Sequence, residues 1–133
     1  VSLVDFNLAE AEREAFEAQV LLDEEKFSEA DVMGYHAMLS AAKALVKTQF
    51  LDVPDAPQAI VDEFRTRFYD SELFFDPFMK GKFANYLFAR HEQGGGDCAD
   101  GTRRLVEETQ LFIEASHACQ ARMHEEIQKS AAV

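Results

Sequence analysis

The chain has no tryptophan, three prolines, six glycines and two cysteines in 133 residues. Each scarcity removes a class of protein. So little Gly and Pro leaves few sites for the tight turns that an all-β domain needs. Cys98 and Cys119 show no CxxC spacing and make no disulfide framework, so the expectation is a chain kept in a reducing cytoplasm. No apolar run approaches the ~20 residues that cross a bilayer, and no segment has the form of a signal peptide. Basic residues are short as well, 13 Lys and Arg against 25 Asp and Glu, for a net charge of −12. A surface of that sign repels phosphate backbones and anionic lipid, so neither nucleic acid nor membrane is an expected partner.

The charge deficit is uneven. Residues 1–31 hold ten acids against Arg13 and Lys26, a balance of −8. Hydrophobic residues make up 47%, twelve of them Phe, which suits a phenylalanine-built core in one domain spanning 1–133. The chain begins at Val1, not Met, and reads as a trimmed protein or a piece of a longer one.

Helical periodicity runs through most of the chain and predicts an all-α, up-and-down bundle of about five helices. Asn7-Leu8-Ala9-Glu10 has the form of a capping box, so helix 1 is expected to start there. Leu8, Ala11, Ala15, Ala18 and Leu22 then make one face, opposite Glu10, Glu14, Glu17 and Glu24. Ser28 and Asp31 signal the next start, with Val32, Tyr35, Leu39, Ala42 and Val46 as its stripe, widened by Met38 and Leu45. Lys43 is the one charge in residues 32–46, and a helix apolar nearly all round belongs at the centre. It must stop before Asp52-Val53-Pro54-Asp55-Ala56-Pro57. Asp55 is expected to cap helix 3, which carries Ile60, Phe64 and Phe68. Asp76-Pro77 opens helix 4, with Met79, Phe83, Tyr86, Leu87 and Arg90, and Gly94-Gly95-Gly96 ends it. From about Cys98 to Lys129 a seam of Leu105, Phe112 and Cys119, interleaved with Thr109, Ser116 and Met123, predicts a last helix of roughly 45 Å. The expected core is Phe64, Phe68, Phe83 and Phe112.

Motifs that carry chemistry are sparse. Glu114-Ala115-Ser116-His117 has the Glu-x-x-His spacing of di-iron bundles, but such a centre needs two of them plus two further Glu. His117 and His124 share a face without further ligands. Gly94-Gly95-Gly96 lacks both the dinucleotide and the P-loop pattern, and no nucleophile elbow appears. No catalytic residue, metal or cofactor is therefore assigned. One basic group stands out: Lys43 and Lys47, one turn apart, with Lys80 and Arg90, near Arg65, Arg67 and Lys82 in sequence. These could form a groove for a nucleotide or another anion.

The run Tyr35-His36-Ala37-Met38-Leu39-Ser40-Ala41-Ala42-Lys43-Ala44-Leu45-Val46 resembles the second helix of the HEPN (higher-eukaryote and prokaryote nucleotide-binding) family. The order of the later elements agrees. Many members are ribonucleases with an Arg and a His four to six residues apart, some of them in toxin–antitoxin pairs. That spacing is missing here, since Arg90 and His91 are adjacent. The resemblance then implies the family's other mode, a non-catalytic bundle that binds a protein partner, a second copy or a nucleotide. A narrower resemblance is to the HEPN-like C-terminal extension of nitrite/sulfite reductase haem proteins. It implies an accessory domain, because siroheme and its iron–sulfur cluster require four cysteines.

Overall fold

A computed structural model describes residues 3–75, 82–94 and 99–131. The expected helix start at Asp76-Pro77, and Met79, Lys80, Gly95, Gly96 and Cys98, lie outside those residues, as does the side chain of Phe83. The protein is an all-α bundle. Its five α-helices among the described residues are α1 (Leu3–Asp23), α2 (Phe27–Val46), α3 (Pro57–Phe64), α4 (Asn85–Gln93) and α5 (Ala99–Ala131).

Helix α2 forms the centre because almost every face of it is apolar. Ala37, Met38, Leu39, Ala41, Ala42, Ala44, Leu45 and Val46 are all buried. Helix α1 lies along it through Leu8, Ala11, Ala15 and Ala18, small residues that let two backbones approach. Ser40 on α2 donates to the Glu14 carboxylate on α1 at 2.5 Å. The two helices are joined by a tight reversal. Lys26 N–H bonds Leu21 C=O at 2.9 Å and Glu25 N–H bonds Leu22 C=O at 3.0 Å, with Glu25 at φ 61°. This is a Schellman closure with glutamate where glycine is commonest.

Helix α5 covers another side of α2. Its expected seam is buried, Leu105, Phe112 and Cys119 together with Thr109 and Ser116. The two hydroxyls are satisfied within the helix, Thr109 donating to Leu105 C=O at 2.7 Å and Ser116 to Phe112 C=O at 2.9 Å. A β-carbon on Gly34 would come within 3.3 Å of Thr109 Oγ1, so the crossing of α2 and α5 uses the missing side chain. At 33 residues, α5 is one unbroken helix about 50 Å long.

The phenylalanine core sits where α3, the turn after it, α4 and α5 meet. Phe64 stacks on Phe68 with centroids 5.8 Å apart and packs against Phe74, Phe88 and Phe112 at 5.1, 6.1 and 5.6 Å. Beyond Phe64 the chain continues as a π-helical turn over Arg65–Tyr69, closed by Asp70 N–H to Arg65 C=O at 2.7 Å. Helix α5 caps the turn that follows. Arg122 donates to the Phe75 carbonyl at 3.2 Å and the Cys119 thiol to the Leu73 carbonyl at 3.4 Å.

Several boundaries differ from the sequence expectation. Helix α1 is already helical at Leu3, and Asn7 lies inside it, because Val4 packs against the core and carries the helix outward. Helix α2 begins at Phe27 with Lys26 at the cap position and no side-chain cap bond. Val32, placed in the buried stripe by periodicity, is exposed, while Gly34 and Ala41 are buried. Ala56, not Asp55, precedes α3, and the Asp55 carboxylate turns away to Lys43.

Phe112 is fully buried and Leu51 is largely exposed. Phe112→Ala is expected to lower stability by about 3–5 kcal/mol. Leu51→Ala should change it by less than about 0.5 kcal/mol. Thermal melts of the two variants check the assignment, and an unchanged midpoint for Phe112→Ala would contradict it.

Candidate functional site

Helix α4 is held to α2 by charge. The Arg90 Nε donates to Asp31 Oδ2 at 2.8 Å, and the two side chains keep only 16% and 9% of their surface in water. The same guanidinium lies 4.5 Å from the centre of the Tyr35 ring, a cation on a π face. Next to it, His91 meets the Tyr35 hydroxyl through Nδ1 at 2.7 Å and Gln58 Oε1 through Nε2 at 3.0 Å. An amide oxygen only accepts, so in the neutral ring Nε2 carries the hydrogen and Nδ1 receives the phenol. Helices α2, α3 and α4 are thus tied by one polar chain. Burial pushes the Tyr35 phenol above its ordinary value, with Arg90 opposing.

The expected cationic residues are dispersed. Lys43 bonds Asp55 at 3.1 Å and lines a recess of about 380 Å³ with His36 and Ser40. Arg90 sits against Asp31 and Tyr35, and Lys43 lies two turns farther along α2, roughly 12 Å down the axis from Tyr35. Arg65 pairs with Glu92 at 3.0 Å and Arg67 with Glu63 at 2.6 Å. Lys47 is half-buried at the C-terminal cap of α2, and Lys80 is outside the described residues. Each of the four paired bases meets a carboxylate of its own.

The surface with something left to offer lies between α1 and α5. On α1 the alanines turn inward together with Leu8 and Leu22, while Phe16 is 71% exposed and Val20, one turn on, is exposed too. Beside them runs a groove of about 340 Å³. Its floor is Ala15 and Ile113, Phe16 flanks it, and its rim carries Glu12 and Glu114, with Gln19, Gln110 and His117 completing the lining. The two stripes repeat the same spacing. Positions 12, 15, 16 and 19 on α1 run against 117, 114, 113 and 110 on α5, each set spanning two turns. His117 Nε2–H donates to the Glu12 carboxylate at 2.5 Å and bridges the two helices.

His117 is therefore engaged with α1. Among the described residues no group of three or more His, Cys, Asp and Glu stands close enough to hold a metal. Nor, among them, is any helix long and apolar enough to cross a membrane. Set against family models, curated proteins and solved structures, the chain matches none.

Arg90 and His91 were readable in the sequence as candidates, but Asp31, Tyr35 and Gln58 were not readable as their partners. Those pairings span 33 to 59 positions. The groove did leave a signal: Phe16 and Val20, four apart, fall outside the alanine stripe of helix 1.

Two outcomes are expected of the polar chain. Arg90→Met leaves the Asp31 carboxylate buried without its cation, and should destabilise the fold by about 3 kcal/mol. The Asp31→Asn/Arg90→Met double variant should recover part of that loss in chemical denaturation. For Tyr35, a raised folded pKa means stability that is whole below the free tyrosine range and lost as pH climbs through the folded value. Wild type should lose more thermal stability than Tyr35→Phe between roughly pH 9 and pH 11. Burial also pushes the Cys119 thiol up to about 11, with Arg122 opposing, but that loss is common to both proteins and cancels. Equal losses would place the phenol in water.

Proposed function

We propose that this chain is a non-enzymatic interaction module that docks a protein partner in the α1–α5 groove. The observation that carries the reading is the outward placement of Phe16 and Val20 on α1, with Phe16 lining an open groove against α5. Apolar surface that is grouped beside a groove, unlike singly scattered residues, is the kind that marks interaction sites. The state of the polar groups supports the absence of catalysis. Arg90, His91 and Tyr35 all hold one another or Asp31 and Gln58 in place, and Lys43 and Arg90 are already turned to Asp55 and Asp31.

The likeness of the Tyr35–Val46 run to the accessory extension of reductases makes a nitrite/sulfite reductase polypeptide the partner to test first. The reductase from the same genome, mixed with this chain, should co-elute with wild type in size exclusion and separate from Phe16→Glu. Phe16 is exposed, so the substitution should leave the circular dichroism and melting point unchanged. Co-elution that survives in Phe16→Glu would move the docking surface elsewhere, and separate elution of wild type would count against this partner.

A further inference from the structure

We propose that the occupant of the α1–α5 groove is an amphipathic helix of the partner, one that carries Lys and Arg beside its apolar stripe. This rests on the interaction reading above. The shape argues for a helix. The groove lies between two helices whose lining residues advance one turn at a time, and a third helix with apolar residues at matching i, i+4 and i+7 positions presents anchors at the same repeat. The charge argues for a basic one. Glu12 and Glu114 stand on the rim. The one basic side chain in the lining, His117, is itself turned to Glu12. A second copy of this chain fits the margin poorly. It would bring two N-terminal segments of −8 each towards one another, the ten acids of residues 1–31 against Arg13 and Lys26.

Two synthetic peptides of about 18 residues, five helical turns, test the idea. Both have leucine on one face; one carries Lys and Arg on the flanks, the other Glu at the same places. Fluorescence anisotropy with the full chain should show binding of the basic peptide that weakens as salt rises. The acidic twin should bind at least about tenfold more weakly. Phe16→Glu should lower affinity for the basic peptide by about tenfold or more, and Glu12→Gln/Glu114→Gln should weaken it and flatten the salt dependence. The Phe16 variant guards against nonspecific attraction, because an added acid strengthens that. Phe16→Ser, which leaves the charge alone, should weaken binding as well.

Equal binding of both peptides, or basic-peptide binding indifferent to Phe16→Glu and Phe16→Ser, would overturn the proposal. So would concentration-dependent sedimentation of wild type that Phe16→Glu abolishes, which would make a second copy the occupant. If neither peptide binds while the reductase still co-elutes in a Phe16-dependent way, the basic helix is wrong and the interaction module stands.

Discussion

A helix that is apolar on nearly every side has to be covered on every side, and α2 imposes that requirement on the whole molecule. Helix α1 covers one flank with alanines, α5 another with the Leu105–Cys119 seam, and α3 and α4 close the remainder. The small residues of α2 decide how close each neighbour comes. At Gly34 the approach of Thr109 and Leu105 leaves less room than a β-carbon normally has. Bulk is supplied from outside α2, by Phe64, Phe68, Phe74 and Phe112, which fill the space that a slender, alanine-rich centre leaves open. Layers that alternate small and large residues in this way interdigitate at the density of a well-packed interior.

The one acid taken inside the rim of α2 is Asp31, and its position explains the placement of α4. A carboxylate so far out of water is tolerable only with a bonded cation. Arg90 can reach it only while α4 lies across Tyr35. Apolar contact alone would let a nine-residue helix slide or rotate, whereas a directional ion pair and the Tyr35–His91–Gln58 relay allow few alternatives. The contribution of such a pair is chiefly to specify an orientation, since its gain in net stability is small.

The fold was legible where one physical signal dominated. The seven-residue recurrence along α5 showed its buried face in advance, Thr109 and Ser116 included, because a 3.5-residue repeat leaves no freedom about which side turns inward. The scarcity of charge in residues 32–46 likewise marked α2 as central. Helix starts were less legible. Asn7 and Asp55 are the right residue types for caps, but in one case packing of Val4 carried the helix past the signal, and in the other Lys43 drew the carboxylate away. The π-helical turn at Arg65–Tyr69 had no sequence mark, since one added residue alters the bonding without disturbing the Phe64 and Phe68 spacing. As for the sites, basic residues invited an electrostatic reading that ignored which acid each would find. The groove was foreshadowed only by Phe16 and Val20 being out of phase, and the contribution of α5 to it required knowing which face of α5 meets α1.

The lack of tryptophan makes the molecule its own spectroscopic probe. Light emission from the folded chain comes chiefly from three tyrosines, and each of them touches or belongs to the same short helix. Tyr86 is on α4, Tyr69 meets Phe88 edge-on at 5.1 Å, and Tyr35 lies beneath Arg90 with its hydroxyl on His91. Lifting α4 alone would change the surroundings of all three fluorophores while most of the helical dichroism of α1, α2 and α5 persisted. Intrinsic fluorescence in this protein is consequently a gauge of α4 docking, and a gap between its transition and that of the helical signal would time the release of that one element.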